Sequence, residues 1–305
     1  MPYANNTAFA RQMRAYIVDK RRRLPKVTVD QYERWFKQFG ERLDWMDPKE
    51  ITVRQLESLE AEMMGAFSES TVSVRMSMLR DMLICAGNKD ARRYDSLCSM
   101  QPAKDSVFLT EEQIAKCRLA ARRMGVEHEL LYSLMVDNGL RPGDIMRLSM
   151  SNAKELLETG ESMILGKGRN GGKLAKLVLS PLTVAPMKRY LALRRTYPSY
   201  ETHTELVLST YRSKTWPASR TYIGVRIKAV FKAAGLEAKC RDLRKTCGNR
   251  VYKLTKDVAM SAMILRHSNP GTTFRHYIGA DSVEMRSVQA RLAGQNPDGL
   301  SQESS

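Results

Sequence analysis

Apolar residues recur at helical spacing along most of this chain, and that regularity does most to narrow the folds open to it. In VTVDQYERWFKQFGERLDWM, Tyr32, Trp35, Phe36 and Phe39 fall at i, i+3, i+4 and i+7, one face of a helix. Thr28, with Gln31 three residues on, has the form of a capping box, so the helix is expected to begin there. TVRQLESLEAEMM after Ile51 and SESTVSVRMSMLRDMLICAGN repeat the pattern, the second closed by Gly87-Asn88. The first hundred residues read as a small bundle of about four helices.

Between Ser96 and Phe108 the stretch SLCSMQPAKDSVF has no period and contains Pro102, which makes 101–107 the expected linker. A new helix opens in LTEEQIAKCRLAARRMG, with Thr110 as cap and Glu111 and Glu112 in the first turn. Beyond Arg147 the period changes. ESMILGKGRNGGKLAKLVLS sets two short apolar runs around a Gly/Asn-rich turn, the pattern of a β-hairpin. Helical spacing then returns in SPLTVAPMKRYLALRRTYP, ASRTYIGVRIKAVFKAAGL, RDLRKTCGNRVYKL and KDVAMSAMILRHS. The expected fold class is mainly α (α+β). A helical domain over 1–100 precedes a mostly helical domain with a small antiparallel sheet over 108–288, and a partly disordered tail spans 289–305.

Charge says where to look for a partner. The chain of 305 residues carries a formal net charge of +17. Residues 1–105 hold 18 Lys and Arg against 15 Asp and Glu, while the rest hold 32 against 18. A field of that sign attracts polyanions, nucleic acid or an anionic membrane surface, and it is concentrated in the second domain. No apolar run reaches the roughly 18 residues of a membrane span. The N-terminal stretch has no secretory apolar core, so a cytoplasmic location is expected. Five cysteines without a CxxC pair read as buried or idle thiols, and four histidines without HExxH argue against a zinc site.

Several segments carry polar groups at element ends. GKGRNG (166–171) matches GxGxxG, but a strand-like KLAKLVLS follows where a dinucleotide site needs a helix. What remains is a cationic turn with Lys167, Arg169 and Lys173. In DNGLRPGDIMRLS, Asn138-Gly139 ends one helix and Pro142 starts another, holding Arg141 at a rigid junction. In KCRDLRKTCGNRVYKL, Arg241 and Arg244 share a helical face beside Lys245, a crowding of like charge that either Asp242 or a bound phosphate would relieve. Arg75, Arg80, Arg92 and Arg93 in the first domain are candidates to ride a DNA backbone, or form a solvated face. ILRHSNPGTTFRHYIGAD contains His267, His276 and Tyr277. Adjacent helical residues point about 100° apart, so His276 and Tyr277 do not both face one site. Asp137, Asp144 and Asp242 are scattered, unlike the clustered carboxylates of a two-metal nuclease, and read as structural.

In order and spacing, NGLRPGDIMRLS, the hairpin GKG, DLRKT and LRHSNPGTTFRHY resemble the tyrosine recombinases, the phage-integrase family. His267 and Tyr277 stand ten residues apart, as in the family pattern, and the similarity runs from about Leu109 to Arg286. The resemblance implies a site-specific recombinase that cuts and rejoins duplex DNA through a covalent 3′-phosphotyrosine, without metal, cofactor or ATP. Carried over by position, Tyr277 is the nucleophile, Arg141 and Arg244 clamp the scissile phosphate, and Lys167 protonates the leaving 5′-oxygen. Lys173 is an alternative to Lys167. His267 hydrogen-bonds the phosphate, and His276 is a bystander. Two positions depart from the pattern: Arg241 stands where the family has a histidine, and Arg266 where it has the glycine before His267. Arginine stays protonated, so Arg241 can donate to a phosphate but cannot act as a general base. Arg169, Lys173, Lys245, Arg75 and Arg80 are candidates for backbone contacts. The implied partners are double-stranded DNA bearing specific sites, further copies of the chain in a tetramer joined by a C-terminal helix at about 281–294, and accessory DNA-bending proteins. Rival readings are a topoisomerase or telomere resolvase of the same fold, or a catalytically silent DNA-binding protein.

Overall fold

The computed structural model describes residues 6–98, 107–166 and 172–267. The chain divides into two units, with the boundary after Pro102. Most of the described residues are helical, with two small antiparallel sheets.

The first unit contains α1 (Ala8–Arg21), α2 (Lys26–Arg42), α3 (Val53–Ala66), α4 (Glu69–Cys85) and the single turn α5 (Asp90–Arg93). Thr52 and Gln55 form a reciprocal capping box at the start of α3. α2 begins three residues earlier than the Thr28 box implies: Pro25 is its cap, and Thr28 lies inside the first turn without a capping bond. Leu24 and Val29, flanking that cap at the spacing of a hydrophobic staple, both join the core and set the start instead. Of the aromatic stripe on α2, Phe36 and Phe39 are buried, while Tyr32 and Trp35 are half-buried and stack on each other at 6.0 Å. Phe36 meets Tyr16 of α1 edge-on at 5.4 Å. Gly40 is required by close approach, since a Cβ there would stand 2.6 Å from the Trp45 ring.

The chain leaves this bundle under firm control. Asn88 is buried and donates to the carbonyls of Pro48 (2.6 Å) and Ile51 (2.8 Å) while accepting from the Ala91 amide. Glu60, wholly buried, accepts from the Tyr94 hydroxyl, the Ser96 hydroxyl and the amides of Leu97 and Cys98. Burial pushes this carboxyl up, but the donors outweigh burial and hold it below its ordinary value.

The second unit is built on α7 (Val126–Val136), which is buried on every face from Leu130 to Val136. Packed on it are α6 (Glu111–Met124), capped by Thr110 and Gln113, and α10 (Pro181–Arg194), α11 (Arg220–Ala233) and α12 (Cys240–Thr255). α8 (Pro142–Ile145) is one turn, α9 (Met150–Thr159) leads into the hairpin, and α13 (Val258–Ile264) packs on α12. The hairpin pairs β1 (Glu161–Gly166) with β2 (Lys173–Val178), from Glu161 opposite Val178 to Gly166 opposite Lys173.

A second hairpin, β3 (Leu208–Tyr211) with β4 (Lys214–Pro217), lacks the usual sequence signal. Its turn residues Arg212 and Ser213 both hold positive φ, 46° and 59°, where Asn-Gly is the favoured pair. All five cysteines are free thiols. Among the described residues no helix is long and apolar enough to cross a membrane.

Candidate active site

The turn between α7 and α8 is where the second unit gathers its cations. Gly139 takes φ +61° there, and a Cβ on it would stand 2.6 Å from Leu265 and 3.2 Å from the Cys247 sulfur. Only glycine satisfies both the backbone and the space. Next to it Asn138, 2% exposed, donates to the Val178 carbonyl at 3.1 Å and accepts from Thr183 at 2.7 Å. The turn is thereby tied to β2 and to α10. Arg141 emerges from it at the N-cap of α8, with Pro142 fixing the first helical position.

Asp144, 3% exposed, organises this arginine. It accepts the Arg141 backbone N–H at 3.1 Å and stands 3.6 Å from the guanidinium nitrogens of both Arg141 and Arg147. A Cβ built on Gly166 would lie 4.0 Å from Asp144 Oδ1, so the turn end of β1 adjoins the same carboxylate. Arg141 keeps more than a third of its side chain exposed and can still reach an anion.

From α12 comes Arg244, 3% exposed. Its Nη1 donates to the Gly139 carbonyl and its Nη2 to the Leu265 carbonyl. One guanidinium therefore joins the α7–α8 turn, α12 and the end of α13. Asp242 starts α12 by accepting the Lys239 amide at 2.8 Å. Arg241, one turn before Arg244, is exposed. Lys245 is half-buried, and burial first, then Arg241, pulls its ammonium below the ordinary lysine range, with Asp242 opposing. Lys228 and Lys232 of α11, with Lys239, Arg241 and Lys245, line an open groove over Phe231.

The end of α13 closes the arrangement. Arg266 holds φ +56°, in the left-handed region that favours glycine. It donates through Nη1 to the Ile264 carbonyl at 2.8 Å and through Nη2 to the Asn138 carbonyl at 3.1 Å. Burial and the nearby Arg244 pull it down to about 10, with Asp144 opposing and Arg141 adding to the fall. His267 follows, half-buried, its amide bonded to the Ala262 carbonyl at 2.9 Å.

The structure thus brings together the Arg141 turn, Arg244 and the backbone that carries His267. Lys173 is exposed at the turn end of β2. Lys167, Arg169, His276, Tyr277, the helix at 281–294 and the tail at 289–305 lie outside the described residues. In the first unit Arg75 lies over the rings of Phe67 (4.0 Å) and Trp35 (5.1 Å). Arg80 donates to the carbonyls of Ala91 and Arg92, at 2.8 and 3.1 Å, and so ties α4 to α5. Asp137 takes both donors of Arg118 at 2.9 and 2.7 Å, and with Asp144 and Asp242 it does structural work, as their scatter implies. Reasoning from sequence did not assign parts to Asn138 or Arg266 here. The glycine pattern marked Arg266 as a departure but carried no sign of its bond to Asn138.

Residues 107–283 match the model of the phage integrase family, and the chain belongs to that family. A probable integrase/recombinase of Bacillus subtilis (strain 168), YoeC, is 38% identical over 79 residues, a match spanning 26% of this chain and 43% of that protein. Among solved structures, the Tn1549 transposon integrase in complex with a circular intermediate DNA superposes with a TM-score of 0.76 at 15% identity, covering 94% of this chain and 99% of that one. XerH recombinase bound to its palindromic difH substrate gives 0.67 at 18% identity, covering 88% and 80%. A lambda integrase dimer bound to a COC′ core site gives 0.65 at 16% identity, covering 86% and 95%. At these identities the likeness is one of fold.

Proposed function

We propose that the protein is a tyrosine-type site-specific recombinase, acting on duplex DNA in the integration, excision or resolution of a mobile element. The observation that carries this reading is the convergence of the Arg141 turn, Arg244 and the residue before His267 through hydrogen bonds between segments remote in sequence.

In this reading the Tyr277 phenol oxygen attacks the scissile phosphorus, forming a 3′-phosphotyrosine bond as the bond to the 5′-oxygen breaks. Tyrosine has an ordinary pKa near 10 and attacks poorly until its proton leaves, and nearby guanidinium charge favours the phenolate. Lys167, or Lys173 as its substitute, delivers a proton to the departing 5′-oxygen. Arg141 and Arg244 hold the non-bridging oxygens, and His267 adds a hydrogen bond. Arg244 has two nitrogens committed to carbonyls, so its orientation is set before DNA arrives and little reorganisation is left for the transition state. Arg241 faces solvent and can donate to the same phosphate, so it supplies charge where the family has a base. The tyrosine proton then passes to solvent water as the phenolate forms. The phosphotyrosine keeps the energy of the broken bond, and a 5′-hydroxyl from a second strand reseals it.

The groove lined by Lys228, Lys232, Lys239, Arg241 and Lys245 supplies a track for the DNA backbone. The first unit serves as a second DNA-holding domain, joined through residues near 101–107. Assembly into a tetramer through the segment at 281–294, with DNA-bending accessory proteins where the site requires them, completes the proposal.

The test is a nicked suicide duplex carrying the protein's own site, which traps the covalent protein–DNA adduct. Wild-type protein should give an adduct that resists denaturation, and Tyr277→Phe should give none. No adduct from the wild type on a site it binds sinks the enzyme reading and leaves a silent DNA-binding protein. An adduct that persists in Tyr277→Phe moves the nucleophile elsewhere.

A further inference from the structure

We infer that Arg266 is a positioning residue for strand cleavage: its guanidinium bolts the end of α13, where His267 follows, onto the turn that presents Arg141. The inference rests on the recombinase reading above and adds a residue to its site.

The first support is a conformational cost. Arg266 sits at φ +56°, a region that long side chains enter at a penalty and glycine enters freely. A glycine would carry the chain out of α13 without strain, so the arginine must offset the strain through its side chain. Its donors show how. Nη1 reaches the Ile264 carbonyl at 2.8 Å and Nη2 the Asn138 carbonyl at 3.1 Å, a partner 128 positions away in sequence.

The second support is how this tie pairs with that of Arg244, which joins the Gly139 and Leu265 carbonyls. Two guanidinium groups thus stitch the same two segments together through consecutive carbonyls, 138 and 139 on one side, 264 and 265 on the other. Two such stitches remove the hinge freedom that one leaves, and they fix the start of His267 relative to Arg141.

The third support is electrostatic. Arg244, Arg141 and Arg147 crowd the same corner, with Asp144 as the buried carboxylate among them. Placing a further guanidinium there is costly without a partner, and the bonds to Asn138 and Ile264 together with Asp144 provide one. An incoming phosphate then meets cations already set at fixed spacing, and small errors in that spacing cost rate steeply.

The experiment uses the full chain and its cognate suicide duplex, comparing Arg266→Gly and Arg266→Lys with wild type. Four quantities are measured: melting temperature, DNA affinity, the rate of adduct formation at saturating DNA, and hydrogen exchange over residues 138–147. Arg266→Gly should melt close to wild type, because relief of the backbone offsets the bond lost at the Asn138 carbonyl. It should bind DNA within about 3-fold of wild type and form adduct on the order of 10- to 100-fold more slowly. Exchange over 138–147 should quicken, and Arg266→Lys should recover part of the rate. Wild-type cleavage by Arg266→Gly at saturating DNA overturns the inference. So does a loss confined to affinity, or faster exchange with an unchanged rate. If the wild type forms no adduct, the recombinase reading fails by itself. Exchange then still judges the tie: unchanged protection in Arg266→Gly overturns it, and lost protection upholds it.

Discussion

Gly139 shows how narrow the tolerance is around a single residue at this corner. Adding one methyl in Gly139→Ala forces contact with Leu265 and puts a side chain at φ +61°. The expected loss is about 2–4 kcal/mol, read as a lower melting temperature with the adduct rate reduced further. Arg244 adds a second test at this scale. Arg244→Lys keeps the charge but cannot span the Gly139 and Leu265 carbonyls at once. It should cost about 1–3 kcal/mol of stability, since a buried carbonyl loses its donor. Adduct formation should fall by at least ~100-fold, as for loss of an oriented transition-state donor. Arg141, Arg244 and the departures at Arg241 and Arg266 were all legible as motif positions. The bond from Arg266 to Asn138 was not, because no local pattern ties residues so far apart in sequence.

Among elements, the helices were legible because their periodicity reports the burial of one face, and Thr110 opened α6 as its position implied. The start of α2 was misplaced because a cap box competes with a hydrophobic staple, and apolar contact at Leu24 and Val29 prevailed. The β3–β4 hairpin escaped because its turn uses Arg212-Ser213 and its strands are four residues each. The exit from the first unit provides an element-scale prediction. Glu60 is held below its ordinary value of 4.5 in the folded protein. It therefore stabilises fully above that value, and the contribution fades as pH falls through the lower folded value. Glu60→Gln should cost about 2–4 kcal/mol near neutrality, since it replaces an acceptor-only carboxylate among four donors. Its stability, followed by denaturant unfolding, should fall less than that of wild type between neutral pH and pH 3.

For the whole molecule, charge is the property that matters. Most of the surplus of positive charge, +14 of +17, lies after residue 105, and a groove with five cations lies in that part. If the groove tracks a DNA backbone, Lys228→Gln with Lys232→Gln should weaken binding to any duplex. The slope of log affinity against log salt should become shallower by about 1–2, one phosphate contact per lysine. A salt slope equal to that of wild type would mean that the groove faces away from DNA.

By itself the sequence determined the helical character and the first hairpin, and it marked candidate positions for phosphate chemistry. These follow from local spacing, turn chemistry and ordered short motifs, which a linear chain records directly. Only the tertiary structure decided that Arg80 is spent on the carbonyls of α5, and that Asp144 anchors Arg141. It also decided that Arg244 and Arg266 join the same two segments. Those outcomes depend on which donors and acceptors meet once the core around α7 is packed, and a buried carbonyl takes whichever donor the fold brings to it.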